Sequence, residues 1–299
     1  MKAATIKLPT YSICNLLGAD RCAAEFVVVR LRDFVETHRD LKFPHRHDFY
    51  QIVLFTRGGG RHSIDFRQYE VQPHQVYYMA PGQVHTWSFD ETTDGYLVNF
   101  NASFFTSIGY RDQFLEDFPL FNGLYGTPVN TLEATCCPAV EQTFAEMLEE
   151  YEHGGEFKKE MLRGLLLTVL VRLSRAVPEV PTDKSSGRNL ALMQQFQKLI
   201  EVHFREKRLP REYAGLMFIT PNHLNALTNS VVGKSAGELI RDRILLEAKR
   251  LLINSDLLVG QVAEILHFED SAYFTRFFKK YLGTTPEAFR AAYAHHAGG

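Results

Sequence analysis

The chain has 299 residues, of which 45% are hydrophobic and 23% are charged, and these proportions are typical of a folded globular protein of about two domains. They exclude a disordered, collagen-like or low-complexity chain. The formal net charge of −2 argues against a polybasic protein that coats nucleic acid or membrane, although residues 190–299 carry more basic than acidic residues and residues 1–189 the reverse.

The number of cysteines and the length of the apolar segments indicate the cellular compartment of the protein. The four cysteines, at positions 14, 22, 136 and 137, are too few and too unevenly spaced for a disulfide framework. The N-terminal residues lack the apolar core of a signal peptide, and no apolar run reaches the ~20 residues of a membrane span. We expect a cytoplasmic protein with reduced thiols and no membrane partner.

Residues 22–101, in the first predicted domain, have a β-type pattern. Runs rich in β-branched and aromatic residues occur at 26–29, 49–55 and 95–100. Turn-forming residues separate these runs, and no helical period lies between them. Several short strands of this kind predict an antiparallel sandwich or barrel.

Residues 137–177 change to a helical period, and their second helix carries a wide apolar stripe. Such a stripe must be covered, either by the barrel's own flank or by another copy of the chain. We predict a homodimer that uses it, through Leu162, Leu166, Val169 and Leu173. Residues 178–189 collect prolines and small polar residues without a period, which predicts an interdomain linker.

Residues 190–299 predict helices throughout. Thr-Pro pairs at 220–221 and 285–286, and a capping box at 235–238, mark helix starts. A short helix, a tight turn and a longer helix occur twice, and a long helix at 236–253 lies between the two units. Two helix-turn-helix units on a rigid spacer fit this pattern better than a solenoid, which needs about three repeats.

Residues 259–290 read VGQVAEILHFEDSAYFTRFFKKYLGTTPEAFR. This motif closely resembles the C-terminal signature of the AraC/XylS family of bacterial transcription regulators, and the similarity extends over residues 190–293. Further upstream, residues 44–47 (Pro-His-Arg-His) and 80–85 (Ala-Pro-Gly-Gln-Val-His) stand where the motifs of cupin domains usually fall. The N-terminal part therefore resembles the cupin effector domain that is common in this family.

The resemblance implies an α+β protein of two domains. A cupin-like antiparallel β-barrel over residues 1–136 is followed by a helical dimerisation segment, and an all-α domain over residues 190–299 contains the two helix-turn-helix units. The implied function is a sequence-specific DNA-binding transcription regulator, expected to be an activator, that a small-molecule effector controls through the barrel. The implied partners are a double-stranded DNA operator, a small organic effector, RNA polymerase and a second copy of the chain, in the bacterial cytoplasm and at the nucleoid when bound.

Two alternatives remain open. The first is a metal-dependent cupin enzyme, such as a dioxygenase, fused to a helical domain. The second is a helical module that binds protein rather than DNA. This alternative predicts that no salt-dependent affinity for DNA is measured.

The helix that begins near residue 271 has one face suited to DNA. Because Phe274, Phe277 and Phe278 must point into the core, the opposite face presents the polar and basic residues Ser271, Tyr273, Thr275, Arg276, Lys279 and Lys280. Arg276 is the candidate for a bidentate guanine contact, and the two lysines are placed for phosphates.

The first unit has a polar but nearly uncharged face, formed by Asn222, His223, Asn225 and Asn229. Asparagine can pair with adenine, so this face could recognise bases directly. The second unit should supply more of the attraction to phosphate. The spacing helix adds Arg241, Arg243 or Arg250 as further basic candidates. His267 stands where the family usually has glycine, and a positive φ there would suit histidine better than most side chains.

The predicted barrel can enclose one ligand among apolar walls and a few fixed polar groups. The candidate effector-binding residues are the polar and aromatic side chains of its strands: His45, His47, Tyr50, Gln51, Arg57, His62, Tyr78, His85 and Trp87. Among these, Arg57 is the candidate partner of an effector carboxylate.

Three of the histidines could also bind a metal ion. Side chains alternate along an extended segment, so His45 and His47 share a face, and His85 is available as a third ligand for Zn²⁺ or Fe²⁺. Metal-binding cupins place a glutamate after the histidine pair, where this chain has the neutral Gln51. We therefore expect no metal cofactor, and name His45, His47 and His85 as the ligands if one is bound.

Overall fold

The computed structural model describes residues 9–17, 24–38, 41, 43–111, 114–121, 128–177, 186–254 and 257–296. The chain divides into two compact units between residues 178 and 179. Residues 178–185 of the predicted linker lie outside the described residues, and the chain is already helical from Ser186. No helix within the described ranges has the length and apolar character needed to cross a membrane.

Ten strands are found in the described part of the N-terminal unit. They are Thr10–Tyr11 (β1), Phe26–Arg30 (β2), His45–His47 (β3), Tyr50–Arg57 (β4), Gly60–Ile64 (β5), Arg67–Glu70 (β6), Gln75–Met79 (β7), Val84–Phe89 (β8), Asp94–Phe100 (β9) and Val129–Thr131 (β10). They form two five-stranded sheets, ordered β1-β3-β8-β5-β6 and β10-β7-β4-β9-β2. The pairs are antiparallel, as predicted, except that β1 runs parallel to β3.

The second sheet is buried on both faces. Its central strands alternate in the usual way, so that Val53 and Leu97 pack into the core shared with the first sheet. Their neighbours Ile52 and Val98 point to the opposite face, which helices cover. Strand β9 is therefore buried along its whole length, and the space between the two sheets is the barrel interior.

Five α-helices accompany the strands among the described residues: Ile13–Leu17 (α1), Leu31–Thr37 (α2), Ser103–Thr106 (α3), Cys137–His153 (α4) and Lys158–Ala176 (α5). Helices α4 and α5 pack against each other and against the outer face of the second sheet. The apolar stripe of α5 lies in this core, and the residues predicted to form a dimer contact are each at most 5% exposed, namely Leu162, Leu166, Val169 and Leu173. The barrel's own flank covers the stripe, so these four residues are not available to a second copy and the predicted dimer contact through them is wrong.

The C-terminal unit is helical. Its helices are Ser186–His203 (α6), Pro210–Leu216 (α7), Pro221–Val232 (α8), Ala236–Asn254 (α9), Val259–Ile265 (α10), Ser271–Leu282 (α11) and Pro286–His296 (α12). The predicted cap at Thr220 is present, because its Oγ1 accepts the backbone N–H of His223 at 3.1 Å, and at the start of α11 Asp270 Oδ1 accepts the backbone N–H of Tyr273. These caps set where α8 and α11 begin, and therefore which residues form their first turns.

Helices α7–α8 and α10–α11 are the two helix-turn-helix units. Each turn contains one residue with left-handed backbone, Phe218 with φ 54° and His267 with φ 54°. The backbone at position 267 therefore has the positive φ that glycine would favour, and histidine occupies it. Phe218 occupies the equivalent position of the first unit and is 95% exposed.

Candidate functional site

Helix α11 presents a basic face to solvent. Phe274 and Phe278 are fully buried, which fixes the rotation of the helix about its axis. The residues predicted on the other face lie there: Thr275 is half-buried, and the exposed ones are Ser271, Tyr273, Arg276, Lys279 and Lys280. Within the described residues, neither Arg276 nor Lys279 takes part in an ion pair, so both cations are available to an external anion.

The corresponding face of α8 is less accessible than the sequence predicted. Asn222, His223 and Asn229 are exposed. The half-buried Asn225 instead has a structural role, because its Oδ1 accepts the backbone N–H of Ala236 at 3.1 Å and so joins α8 to the start of α9. Asn229 Nδ2 also donates to the carbonyl of Asn225, at 2.9 Å.

The spacing helix α9 offers fewer free cations than expected. Arg243 is buried, donates to Glu201 and Glu247 at 2.8 and 2.9 Å, and lies over the ring of Phe204. It stabilises the unit and cannot reach DNA. Arg250 is also within ion-pair distance of Glu247, at 3.8 Å, and the Arg241 guanidinium lies 4.2 Å from the centre of the Tyr281 ring.

Sequence reasoning missed Arg208, which precedes α7 and contacts the turn of the second unit. Its Nη2 donates to the carbonyls of Leu266 and His267, both at 2.7 Å. Its guanidinium also stacks on Phe268, 3.8 Å from the ring centre. The contact joins residues 58 and 59 positions apart along the chain, so no local pattern could have revealed it. Arg208 ties the first helix-turn-helix unit to the second.

Four histidines meet inside the barrel of the N-terminal unit. His45, His47, His62 and His85 are each at most 3% exposed. The His85 Nε2 and His47 Nε2 atoms are 2.8 Å apart, and the His62 Nε2 and His85 Nδ1 atoms are 3.1 Å apart. One ring nitrogen from each of His45, His47 and His85 lies within 4.8 Å of the other two, an arrangement that could hold a metal ion.

Burial favours the neutral form of three of these rings. Burial, followed by the neighbouring imidazoles, holds the pKa of His47 and that of His85 well below the usual value of histidine. The same cause lowers the pKa of His62 to about 3. Neutral imidazole keeps one nitrogen lone pair, which is the form that accepts a hydrogen bond or a metal ion.

Two other predicted effector residues also face the barrel interior. The side chain of Gln51 donates through Nε2 to Asn99 Oδ1 at 2.8 Å, and both amides are buried. Trp87 packs beside the histidines, with its ring centre 5.1 Å from that of His45. Asn99 was not predicted from the sequence, although a lone amide in the apolar strand β9 is a signal that could have found it.

Three predicted effector residues lie elsewhere. Tyr50 stacks on Phe100, and Tyr78 is buried in the same core, on the face of the second sheet that the helices cover. Arg57 is exposed at the end of β4 and is 3.4 Å from Asp94 of its own chain. These three side chains do not line the interior.

A shallow apolar pocket adjoins the interior. Helices α1 and α2 and strand β2 form its walls, and Asn99 closes one side; the lining includes Ile13, Leu16, Val27, Val29 and Phe34. Because the Asn99 amide is shared between this pocket and the pair with Gln51, a ligand there could exchange hydrogen bonds with the pair.

Comparison with known proteins gave matches over both units. The sequence model described as "AraC-like ligand binding domain" matches residues 33–169, and the one described as "Helix-turn-helix domain" matches residues 213–292. The HTH-type transcriptional activator RhaR of Cronobacter sakazakii is 24% identical over 85% of this chain and 88% of its own length. The MmsAB operon regulatory protein of Pseudomonas aeruginosa is 22% identical over 85% of this chain and 79% of its own.

Among solved structures, unsaturated fatty acid bound ToxT from Vibrio cholerae is 14% identical, with a TM-score of 0.43 over 88% of this chain and 94% of that one.

Proposed function

Because the chain belongs to the AraC/XylS family of transcription regulators, we propose that it activates transcription by placing α8 and α11 in the major groove of an operator. The observation that carries this proposal is the face of α11. Its aromatic side is buried in the unit, which leaves Tyr273, Arg276 and Lys279 on a convex, solvent-facing surface. A helix presented in this way fits the major groove of B-DNA.

Two of the three exposed cations of α11, Arg276 and Lys279, have different roles in this proposal. Arg276 lies in the second turn of the helix and pairs with a guanine, which provides sequence discrimination of about 1–3 kcal/mol. Lys279 lies one turn further along and contacts phosphate, which provides affinity without sequence information. On α8, Asn222 and His223 are exposed near the helix start, and they provide a weaker contact because neither position carries a lysine or an arginine.

The first experiment is a selection of binding sites by the purified full chain from a random DNA pool, followed by affinity measurements on the selected sequence. Arg276→Ala should lose discrimination at one base pair. Lys279→Ala should weaken binding to all sequences alike and reduce the slope of log K against log salt by about 0.9.

Arg61→Ala is the matched control, since it removes one exposed cation from the N-terminal unit. It should change neither quantity. If Arg276→Ala retains the full sequence preference, the assignment of α11 as the reading helix is wrong.

The remaining partners follow from the same proposal. The barrel interior binds a small organic effector, for which the inward residues Gln51, His62 and Trp87 provide polar contacts beside the group of His45, His47 and His85. The regulator acts in the bacterial cytoplasm as a homodimer that recruits RNA polymerase, and it is not an enzyme. Sedimentation of the full chain with and without operator tests the dimer, whose contact must lie outside the buried stripe of α5.

A further inference from the structure

The histidine cluster requires a physical explanation that DNA binding does not give. The core around it is built from apolar side chains such as Phe49, Val53 and Leu97. Placing four imidazoles there costs the free energy of removing polar nitrogens from water, unless each nitrogen finds a partner. Nδ1 of His62 and Nε1 of Trp87 are buried and have no hydrogen-bond partner among the described residues. The cluster is therefore not optimised as a closed hydrogen-bonded network.

The hydrogen bond to a backbone carbonyl fixes the tautomer of His45. The Nδ1 atom of His45 is 2.8 Å from the carbonyl oxygen of Phe43. A carbonyl can only accept, so Nδ1 carries the proton and Nε2 carries the lone pair. Likewise, if His85 Nδ1 donates to His62 Nε2, its own Nε2 is left with a lone pair that faces His47.

This pattern is the one that metal-binding histidines show. A ligating imidazole usually donates its second ring nitrogen to a carbonyl or another acceptor, which orients the ring and fixes the tautomer. Phe43 provides such an acceptor for His45, and His62 provides one for His85 in the tautomer in which His85 Nδ1 is the donor. We infer that His45, His47 and His85 bind a divalent transition-metal ion inside the barrel, with His62 as the residue that orients His85.

The donor set selects the class of ion. Three imidazoles without a carboxylate suit Zn²⁺, Cu²⁺ or Ni²⁺ rather than Mg²⁺ or Ca²⁺, which prefer oxygen ligands. The amide of Gln51 is held by Asn99 and is not part of the set. Without a carboxylate, the set also lacks the two-histidine, one-carboxylate arrangement of non-haem iron oxygenases. The chemistry therefore indicates a resident ion in a regulatory domain rather than an oxygenase centre.

The aromatic side chains around the three histidines favour slow release of a bound ion. The Phe49 ring stacks on His47 with centres 4.4 Å apart and an angle of 7° between the rings. Trp87 makes edge contacts with His45 and with His62. This aromatic shell keeps the rings in place and limits access of solvent, which slows exchange of a bound ion.

Cobalt provides a direct test, because it takes the same ligands as zinc and has visible absorption. The full chain without a histidine tag is stripped of metal and titrated with Co²⁺. We expect one Co²⁺ per chain, an intense d–d absorption typical of few-coordinate nitrogen ligation, and displacement by Zn²⁺. In the NMR spectrum of the Co²⁺-loaded wild-type chain, strongly shifted imidazole N–H signals should come from His45 and His85, whose Nδ1 protons stay on the bound rings.

Variants then assign the ligands. His47→Gln should lower Co²⁺ affinity at least 100-fold, and His62→Phe about 10- to 100-fold, since it removes only the orienting partner. His153→Gln is the matched control, because His153 is exposed on α4 and pairs with Glu149; it should bind Co²⁺ as the wild type does. Thermal unfolding of each metal-free variant checks that it is folded, and the wild-type NMR result does not depend on any variant.

The outcome separates this site from the proposed DNA-binding function. Zn²⁺ should raise the Tm of the wild-type chain but not that of His47→Gln. Absence of bound Co²⁺ in a wild-type chain that binds its selected operator would overturn the metal site and leave the regulator intact. Equal Co²⁺ binding by wild type and His47→Gln would also overturn it.

Discussion

Replacement of Arg208 by alanine tests whether the two helix-turn-helix units act as one rigid body. The guanidinium donates two hydrogen bonds of 2.7 Å to the carbonyls of Leu266 and His267, at the end of α10. Free carbonyls at a helix C-terminus carry partial negative charge, so a cation there also gains from the helix dipole. The same group stacks on Phe268.

The contacts of Arg208 give the expected loss of stability in the Arg208→Ala variant. Two hydrogen bonds from a charged donor contribute about 1.5–3 kcal/mol each, and the stacking about 1 kcal/mol. Arg208 is partly exposed, so solvent screens part of this gain. Burial also lowers the pKa of its guanidinium, which shows that desolvation offsets a further part. We expect Arg208→Ala to reduce the free energy of unfolding by about 2 kcal/mol, and Arg208→Lys by about half as much, because an ammonium lacks the planar two-nitrogen fork.

Stability and DNA affinity are then measured on the same preparations. Urea unfolding of the full chain, followed by far-ultraviolet circular dichroism, gives the free energy. Affinity for the selected operator should fall about tenfold, which corresponds to about 1.4 kcal/mol, because α8 and α11 no longer keep a fixed spacing. Affinity for an operator with only the α11 half of the site should change much less.

Arg211→Ala is the matched control, since Arg211 is an exposed arginine on the neighbouring helix α7 and its loss changes the charge equally. It should leave both stability and affinity within experimental error of the wild type. An Arg208→Ala chain that also stays within about 0.5 kcal/mol of the wild type, with unchanged operator affinity, refutes the idea that this residue couples the units.

Three further predictions concern stability. Asp94→Asn should reduce the free energy of unfolding by about 2 kcal/mol at pH 7. Burial alone would raise the pKa of Asp94, but hydrogen bonds from Arg30, at 2.5 Å, and from backbone N–H groups hold the pKa below its usual value. The free energies of unfolding of wild type and variant, measured in urea, should therefore converge as the pH falls below about 4. Leu166→Ala should cost about 3 kcal/mol by leaving a cavity without changing the sedimentation coefficient; a change of oligomeric state would return the dimer contact to this stripe. Phe218→Gly should raise the Tm because it relieves a left-handed φ of 54°, whereas Leu258→Gly, at another exposed apolar residue but with φ −64°, should lower it.

The local features of the C-terminal unit were predictable from sequence. The helix starts at Thr220 and Asp270 depend on a side chain that bonds to a backbone N–H three residues on, and such a cap is visible in the sequence itself. The exposed face of α11 followed from the spacing of Phe274 and Phe278. Arg208 could not be assigned, because its partners are distant in the chain, and the burial of Arg243 could not be predicted, because it depends on the distant Glu201 and Phe204.

The barrel residues show a different limit. Tyr50 and Gln51 were both predicted to line the interior, yet neighbours in a strand point to opposite faces, so one of the two had to be wrong. Sequence alternation gives two sets of residues without saying which set faces inward. Here the second sheet is apolar on both faces, since helices cover its outer side, and polarity could not distinguish the sets.

Sequence polarity also left open whether a second chain or the chain's own sheet packs on the apolar stripe of α5. An apolar helix face indicates that something packs on it, and its composition does not differ between a partner chain and the chain's own sheet. The choice was made by the outer face of the second sheet, where Ile52, Leu54 and Val98 need a cover of their own.

The histidine cluster depends on both kinds of information. Alternation places His45 and His47 on one face, but only strand register brings the other two rings to them. The β3–β8 register pairs His45 with His85, and the β5–β8 register pairs His62 with Trp87, so that His62 lies diagonally next to His85 on the same face. A shift of β5 by one residue would turn His62 outward and remove the orienting partner of His85. The geometry that suits a metal ion therefore depends on the register of the whole sheet, and a variant that disturbs this register should lose Co²⁺ binding even with all four histidines intact.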